Sequence, residues 1–289
     1  MINRILIFTL LKTIALAQSA FPGLNSWTHS NTVGLAGGGY IIPNQNEFRN
    51  AGSLVRPDRL FQLSLIKYPA DISAQSIIAN GNFKKHYIGL FVKNINYGIF
   101  DFRTDENIKL GTFSANDTHL KIGYAKSVYK DKLILGVNTG IFLSQIDSYK
   151  AKLLTASPAL LLKGNEVSLG FSIENLARVI ESYTNDKTKP YPSYVISLYK
   201  LYNQIPIEAE VSHSFSNENN NNVTSISFLY KLSMKSYIKA GISSNRLSRV
   251  QGDSFVKNLF NDAGLGFGYD FDEFYLDFNI YSYSNTHSI

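Results

Sequence analysis

The chain has 289 residues, a formal net charge of +6 and no cysteine. The missing cysteines exclude disulfides, zinc–thiolate sites and cysteine nucleophiles. Charged residues are only 17% of the chain, and the lysines are scattered, which disfavours a nucleic-acid-binding stripe. No run of about 20 apolar residues follows the first twenty positions, which excludes a helical membrane protein. A β-barrel stays possible, because its strands need an apolar residue only at every second position.

The first seventeen residues have the pattern of a Sec signal peptide. Arg4 gives a positive start, and residues 5–17 are mostly apolar. Ala15 and Ala17 occupy the −3 and −1 positions of a signal-peptidase site. The alternative is an N-terminal core helix or membrane anchor, but the apolar run is short for an anchor. We therefore predict a signal peptide at residues 1–17 and an exported mature protein.

The next segment, residues 18–58, is rich in small residues and lacks a strand pattern. Its notable positions are Gly34, Gly37, Gly38 and Gly39, followed by Asn50 and Gly52. A glycine-rich loop can cradle a phosphate, but a dinucleotide site also needs a strand before it and a helix after it, and neither is indicated. We predict a plug-like N-terminal segment that lies in or under the lumen of a barrel.

Residues 59–289 show a hydrophobic period of two, which is typical of β-strands. For example, Ile207 and Val211 fall on one face of a strand, and Glu208 and Glu210 fall on the other. The less apolar face is often Gly, Ser or Asn, which suits a lumen better than bulk solvent. We predict an all-β fold, a transmembrane antiparallel β-barrel of about 14 strands. A soluble periplasmic β-protein is the alternative, because a half-buried sheet also alternates.

Polar segments predict the connections between the strands. Short turns are expected at 80–82, 130–131, 163–165 and 271–273, and longer loops at 181–192, 216–222 and 243–261. The unbroken succession of long strands lacks a linker that would divide it into two sandwiches. We therefore assign the whole of 59–289 to one barrel.

Several motifs, in the same order, resemble PorV/PorQ and FadL-like outer-membrane proteins. The small-residue run at 32–40 and the Asn50-Ala51-Gly52-Ser53-Leu54 motif resemble their opening, and segments 122–138, 168–176 and 264–278 resemble their later hairpins. The resemblance implies a Gram-negative outer-membrane barrel of PorV/PorQ type, a non-enzymatic component of type IX protein secretion or surface anchoring. Its alternative implication is a FadL-like passive transporter of hydrophobic small molecules. The implied partners are outer-membrane lipid and either secretion-system proteins with exported cargo or hydrophobic small molecules.

The sequence offers no catalytic, cofactor or metal site. Glu208 and Glu210 share a strand face, and paired carboxylates can do acid–base work, but contact with lumen water or a salt bridge to a lumen lysine is the interpretation we prefer. His86, His119 and His213 lie on separate predicted strands without ligand spacing. We therefore predict a protein that is not an enzyme and has no cofactor. The plug or lumen candidates are Gly34, Gly37, Gly38, Gly39, Asn50, Gly52, Glu208 and Glu210.

Overall fold

The computed structural model describes residues 21–43, 47–184, 189–216, 222–244 and 262–282. The predicted signal peptide lies outside them. Fourteen antiparallel strands form one sheet, which confirms the predicted all-β fold and strand number. They are β1 Leu60–Lys67, β2 Ser73–Phe83, β3 His86–Arg103, β4 Lys109–Tyr129, β5 Leu133–Ile146, β6 Tyr149–Lys163, β7 Val167–Glu174, β8 Leu176–Glu181, β9 Ser193–Tyr202, β10 Ile207–Ser216, β11 Val223–Lys231, β12 Ser236–Ser243, β13 Ala263–Asp270 and β14 Tyr275–Ser282. Across the described ranges, no helix is both long and apolar enough to cross a bilayer.

The two faces of the sheet have opposite chemistry. Large apolar side chains such as Ile122, Leu169 and Phe267 point outward and are exposed. Polar and charged side chains such as Lys93 and Glu210 point inward and are buried. A soluble sandwich buries its apolar face, whereas a transmembrane barrel turns that face to lipid and keeps a polar interior. The structure therefore confirms the predicted transmembrane barrel fold, with the polar and small-residue face on the inside.

The connections alternate between two ends of the sheet. One end, here the turn end, joins strands through short turns such as 84–85 and 130–132. The other, the loop end, carries most of the longer connections, such as 104–108 and 182–192, although the turn 147–148 at this end is short. This asymmetry is that of outer-membrane barrels, whose periplasmic turns are short and whose extracellular loops are longer.

One predicted turn is wrong. Residues 80–82 lie inside β2, where Gly81 pairs with Ile88 of β3. Strand geometry continues there because Asn80, Gly81 and Asn82 stay in register with β3, opposite Gly89, Ile88 and Tyr87. The chain reverses at Lys84, whose φ of 57° is in the left-handed region.

Strands β7 and β8 form a single pass through the sheet. Both pair with β6, and they are separated by Asn175, which has a φ of 60°. Because these two strands share one pass, the fourteen strands make thirteen passes. Antiparallel passes alternate in direction, so β1 and β14 run parallel to each other. Within the described residues these two edges share no backbone ladder.

The gap between β1 and β14, which we call the seam, is bridged from inside the sheet. At the turn end, the Gln62 side chain donates a hydrogen bond to the Tyr275 hydroxyl. At the loop end, the Trp27 carbonyl accepts from the Tyr68 hydroxyl at 2.5 Å, and the Trp27 ring packs edge-on against Tyr281 with centroids 5.1 Å apart. Residues near both ends of the seam are thus held together by side chains and by the N-terminal segment.

The N-terminal segment folds against the inner face of the sheet. It contains two short 3-10 turns, Pro22–Leu24 and Ala51–Leu54, and one short helix, α1 (Ser30–Gly34). Helix α1 contacts β1, β12, β13 and β14, so it lies behind the seam. The turn Ala51–Leu54 contacts β3 to β6 on the other side of the sheet.

A hydrophobic core joins this segment to the inner wall. The buried side chains of Leu35, Ile42 and Leu54 belong to one apolar cluster with residues of the strands. The strand members are Ile78, Phe91, Ala125, Ile134, Ala159, Leu161, Val195 and Tyr199. Each fully buried Leu or Ile contributes on the order of 1.5–3 kcal/mol, so the segment is an integral part of the fold.

Candidate functional site: the lumen and its N-terminal segment

Two strand glycines allow the segment to approach the wall closely. A Cβ at Gly241 would overlap the backbone of Leu35, and a Cβ at Gly264 would overlap the backbone of Val33 and Gly34. A side chain of any size at either position would therefore push the segment away from the sheet.

The four candidate glycines of the N-terminal run all lie buried at the inner face of the sheet. Gly34 ends α1, and Gly37 lies against the indole of Trp27. Gly37 and Gly39 have φ values of 84° and 76°, a backbone conformation that glycine adopts at no steric cost. These glycines thus shape a close turn of the segment.

Asn50 fixes the second motif to the wall. Its side-chain oxygen accepts the backbone N–H of Gly52 at 2.9 Å, which caps the turn that follows. Its amide nitrogen donates to the carbonyls of Leu160 on β6 and Phe171 on β7, each at 3.2 Å. A Cβ on Gly52 would approach the Cβ of Leu161 to 2.7 Å, so this turn also packs directly on the wall.

Glu210 on the inner face of β10 holds the middle of the segment. Its carboxylate accepts three successive backbone N–H groups, from Tyr40 at 2.8 Å, Ile41 at 2.9 Å and Ile42 at 3.0 Å. A carboxylate that accepts several N–H donors makes strong, charge-assisted hydrogen bonds. The alternation of β10 placed Glu210 in the lumen, but no signal in the sequence could identify its partners, which lie about 170 positions earlier in the chain.

Glu208, two residues earlier on the same face, has different partners. It forms an ion pair with Lys231 at 2.8 Å and accepts the hydroxyl of Tyr199 at 3.0 Å. This is the salt bridge to a lysine that we preferred over acid–base work. The two carboxylates are each engaged separately, one with the wall and one with the segment.

Arg49 makes the main ion pair between the segment and the wall. Its Nε and Nη2 donate to the two carboxylate oxygens of Glu174, each at 3.1 Å, and its Nη1 donates to the Gly37 carbonyl at 2.9 Å. Its guanidinium stacks 3.7 Å above the ring of Tyr40. Burial by itself lowers the pKa of Arg49, but the Glu174 carboxylate and Tyr40 offset this and raise it above its ordinary value. Sequence reasoning missed Arg49, because nothing in its local pattern marks it as buried.

A further cap closes the start of α1 behind the seam. The Nδ1 of His29 accepts the backbone N–H of Asn31 at 3.3 Å, and the Asn31 side chain accepts from the buried ammonium of Lys239 at 2.6 Å. Lys239 also pairs with Asp277 of β14 at 2.7 Å. Burial lowers the pKa of His29, because a charged imidazolium is poorly solvated there.

Between the segment and the wall of β3 to β11 lies a polar cavity of about 230 Å³. Three cationic side chains line it, Arg49, Lys93 and Lys121, together with the carboxylates of Glu47 and Glu174. Lys93 donates to backbone carbonyls of the segment. The hydroxyls in the lining come from Ser26, Ser157, Ser193, Ser212, Ser214, Ser216, Ser225 and Tyr40.

The three histidines considered in the sequence lie apart. His119 lines the cavity and contacts the Thr155 hydroxyl at 2.8 Å. His86 and His213 are exposed, with contacts to Tyr124 and Thr224. In the described part of the chain, no three His, Asp or Glu side chains come together as a metal site would require.

Comparison with known proteins supports the fold. No protein-family model and no curated protein matches the chain. Among solved structures, the crystal structure of a Pseudomonas aeruginosa FadL homologue is similar, with a TM-score of 0.51 and 12% sequence identity over 87% of this chain and 88% of that chain. The similarity extends to the FadL-like barrel fold. It does not extend to the PorV/PorQ resemblance or to type IX secretion, which stay predictions from the sequence.

Proposed function

We propose that the chain is a non-enzymatic transport barrel of a Gram-negative outer membrane, with its N-terminal segment as a plug that restricts the lumen. The observation that supports this most directly is the polar cavity left between that segment and the inner wall. A barrel that served only as an anchor would gain nothing from an interior cavity, whereas a transporter needs a place for its solute.

The arrangement of the segment supports the role of a plug. It crosses the lumen from the seam at α1 to the turn Ala51–Leu54 beside β4 to β6. Glu210 and the Arg49–Glu174 pair attach it through polar contacts. Polar attachments of this kind can exchange with water when the segment moves, unlike a covalent link.

The chemistry of the cavity bears on the solute. The FadL-like alternative for hydrophobic molecules predicts a continuous apolar pocket beneath residues 34–54. The apolar side chains there pack against the wall in a filled core, and the open space is lined by polar and charged groups. We therefore propose small solutes that carry polar groups.

Liposomes test this proposal. The mature chain and a variant that lacks residues 34–54 would be refolded into liposomes, and heat-modifiable migration on a gel would confirm a folded barrel in each. We expect the shortened variant to release a small entrapped sugar faster than the intact chain. A folded variant with unchanged release would contradict a plug. Normal permeability combined with lost protein secretion in cells would point to the type IX alternative.

A further inference from the structure

One lysine in the cavity has no carboxylate in direct contact with it, although Glu47 and Glu174 act on it through space. Lys121 points inward from β4 and lines the cavity, yet it makes no hydrogen bond or ion pair with any residue that the structure describes. Its ammonium lies over the ring of Phe91, 4.2 Å from Nζ to the ring centroid. By contrast, Arg49 pairs with Glu174, and Lys93 donates to two backbone carbonyls.

An unpaired cation in a protein interior is costly unless a partner reaches it. The lining holds three cationic side chains and two carboxylates, and one of those carboxylates is already paired with Arg49. Ser212 and Ser214 present hydroxyl groups from β10 on the same lining. An ammonium and hydroxyl donors that line one cavity are suited to the oxygens of an anion.

We propose that this cavity binds a small hydrophilic anion through carboxylate or phosphate oxygens, with Lys121 as its main counter-charge. The inference deepens the proposed transport role and rests on it only for how the anion arrives. A volume of about 230 Å³ admits inorganic phosphate or a short dicarboxylate. A long alkyl chain has no matching space, because the neighbouring apolar cluster is filled by Leu35, Ile42 and Leu54.

Equilibrium dialysis tests binding directly. The full-length folded barrel in a non-ionic detergent would be dialysed against radiolabelled inorganic phosphate, with succinate and a long-chain fatty acid as competitors. We expect saturable binding of one phosphate per chain that succinate displaces and the fatty acid does not. Binding that does not saturate, or displacement by the fatty acid alone, would overturn the proposal.

Matched variants assign the site to Lys121. Lys121→Gln should weaken phosphate binding by on the order of tenfold or more, the value of one hydrogen bond to a charged group. Lys126→Gln removes the same charge from an exposed position on the same strand and should leave binding unchanged. Lys121→Arg should retain binding, and Glu47→Gln should strengthen it by removing a competing carboxylate. Equal binding by Lys121→Gln and Lys126→Gln would sink the assignment.

Folding and function are separated by two further readouts. Heat-modifiable migration shows which variants are folded. If Lys121→Gln does not fold, Glu47→Gln tests the site instead: stronger phosphate binding supports it, and unchanged or weaker binding contradicts it. Phosphate binding without liposome permeability would leave this site standing and contradict transport. Liposome permeability without phosphate binding would contradict this site and leave the transport proposal standing.

Discussion

Glu210 accepts the backbone N–H of Tyr40 over 2.8 Å, which ties the inner face of β10 to the segment that precedes the first strand. The same carboxylate also holds the N–H groups of Ile41 and Ile42. One side chain thus accepts hydrogen bonds from three consecutive backbone N–H groups of an irregular segment. These N–H groups therefore have partners although the segment lies inside the barrel. Glu210 is therefore the point at which we expect the segment to be most sensitive to substitution.

Replacing Glu210 should release the segment from the wall. Glu210→Gln keeps one acceptor oxygen but turns an N–H₂ group toward an N–H donor, at a cost of about 1.5–3 kcal/mol in unfolding free energy. Trypsin should then cleave after Arg49, which is partly buried and paired with Glu174 in the intact protein. Limited proteolysis of the folded barrel measures this.

Glu208→Gln is the matched control for that experiment. It makes the same change two residues away, but the partners of Glu208, Lys231 and Tyr199, belong to the wall and not to the segment. We expect no new cleavage after Arg49 in this variant. Equal cleavage in both variants would show that Glu210 has no special hold on the segment.

Gly241 should tolerate no side chain. In Gly241→Ala the new Cβ would overlap the backbone of Leu35, and overpacking of this kind costs about 1–3 kcal/mol. Gly81→Ala on β2 is the control, because a Cβ there meets no atom within 4 Å. Urea unfolding of both variants in the same detergent gives the comparison, and equal stability would mean that the segment is not packed on β12.

The alternation of apolar residues was sufficient to predict the strands, because each strand has one face toward lipid and one toward the lumen. It assigned Glu208 and Glu210 to the less apolar face of their strand, and both side chains are buried in the structure. It could not reveal which residues of the N-terminal segment meet them, since contacts such as Glu210 with Tyr40 depend on the closing of the whole sheet. Lys93 and Lys121 escaped notice for a related reason. A lysine at an inward position looks the same in sequence whether it meets water, a carboxylate or nothing.

The depth of β4 in the bilayer can be measured with two lysine substitutions. Ile122 and Tyr129 are both exposed on the outer face, at 61% and 58%, but Ile122 lies within the strand and Tyr129 at its end. Ile122→Lys should destabilise the barrel in lipid by about 2–4 kcal/mol, and Tyr129→Lys by about 0–1 kcal/mol. Unfolding in lipid vesicles measures the difference. Equal costs would show that Ile122 lies no deeper in the bilayer than Tyr129.

The seam should exchange its amide hydrogens quickly. Amides of β1 that are not bonded to β2 have no strand partner across the seam in the described structure, whereas both edges of β4 are paired. Unpaired edges exchange through small local openings. Hydrogen exchange followed by NMR should therefore show faster exchange in β1 than in β4. Equal protection would mean that β1 and β14 close through a parallel ladder.

Acid should loosen the segment through His29. Because burial lowers the pKa of His29 below its ordinary value of 6.5, the unfolded chain binds the extra proton first. Stability is then complete above about pH 6.5 and falls as the pH drops below it, with a slope of up to about 1.4 kcal/mol per pH unit. Protonated Nδ1 also loses the capacity to accept the N–H of Asn31, so the cap of α1 is lost in the same range.

His29→Asn keeps a capping oxygen but does not titrate. From pH 7 down to pH 5, its unfolding free energy should fall less steeply than that of the native chain, because it lacks the titrating imidazole. Carboxylates elsewhere affect both proteins alike and therefore cancel in the comparison. Parallel curves would show that His29 is not the group that responds.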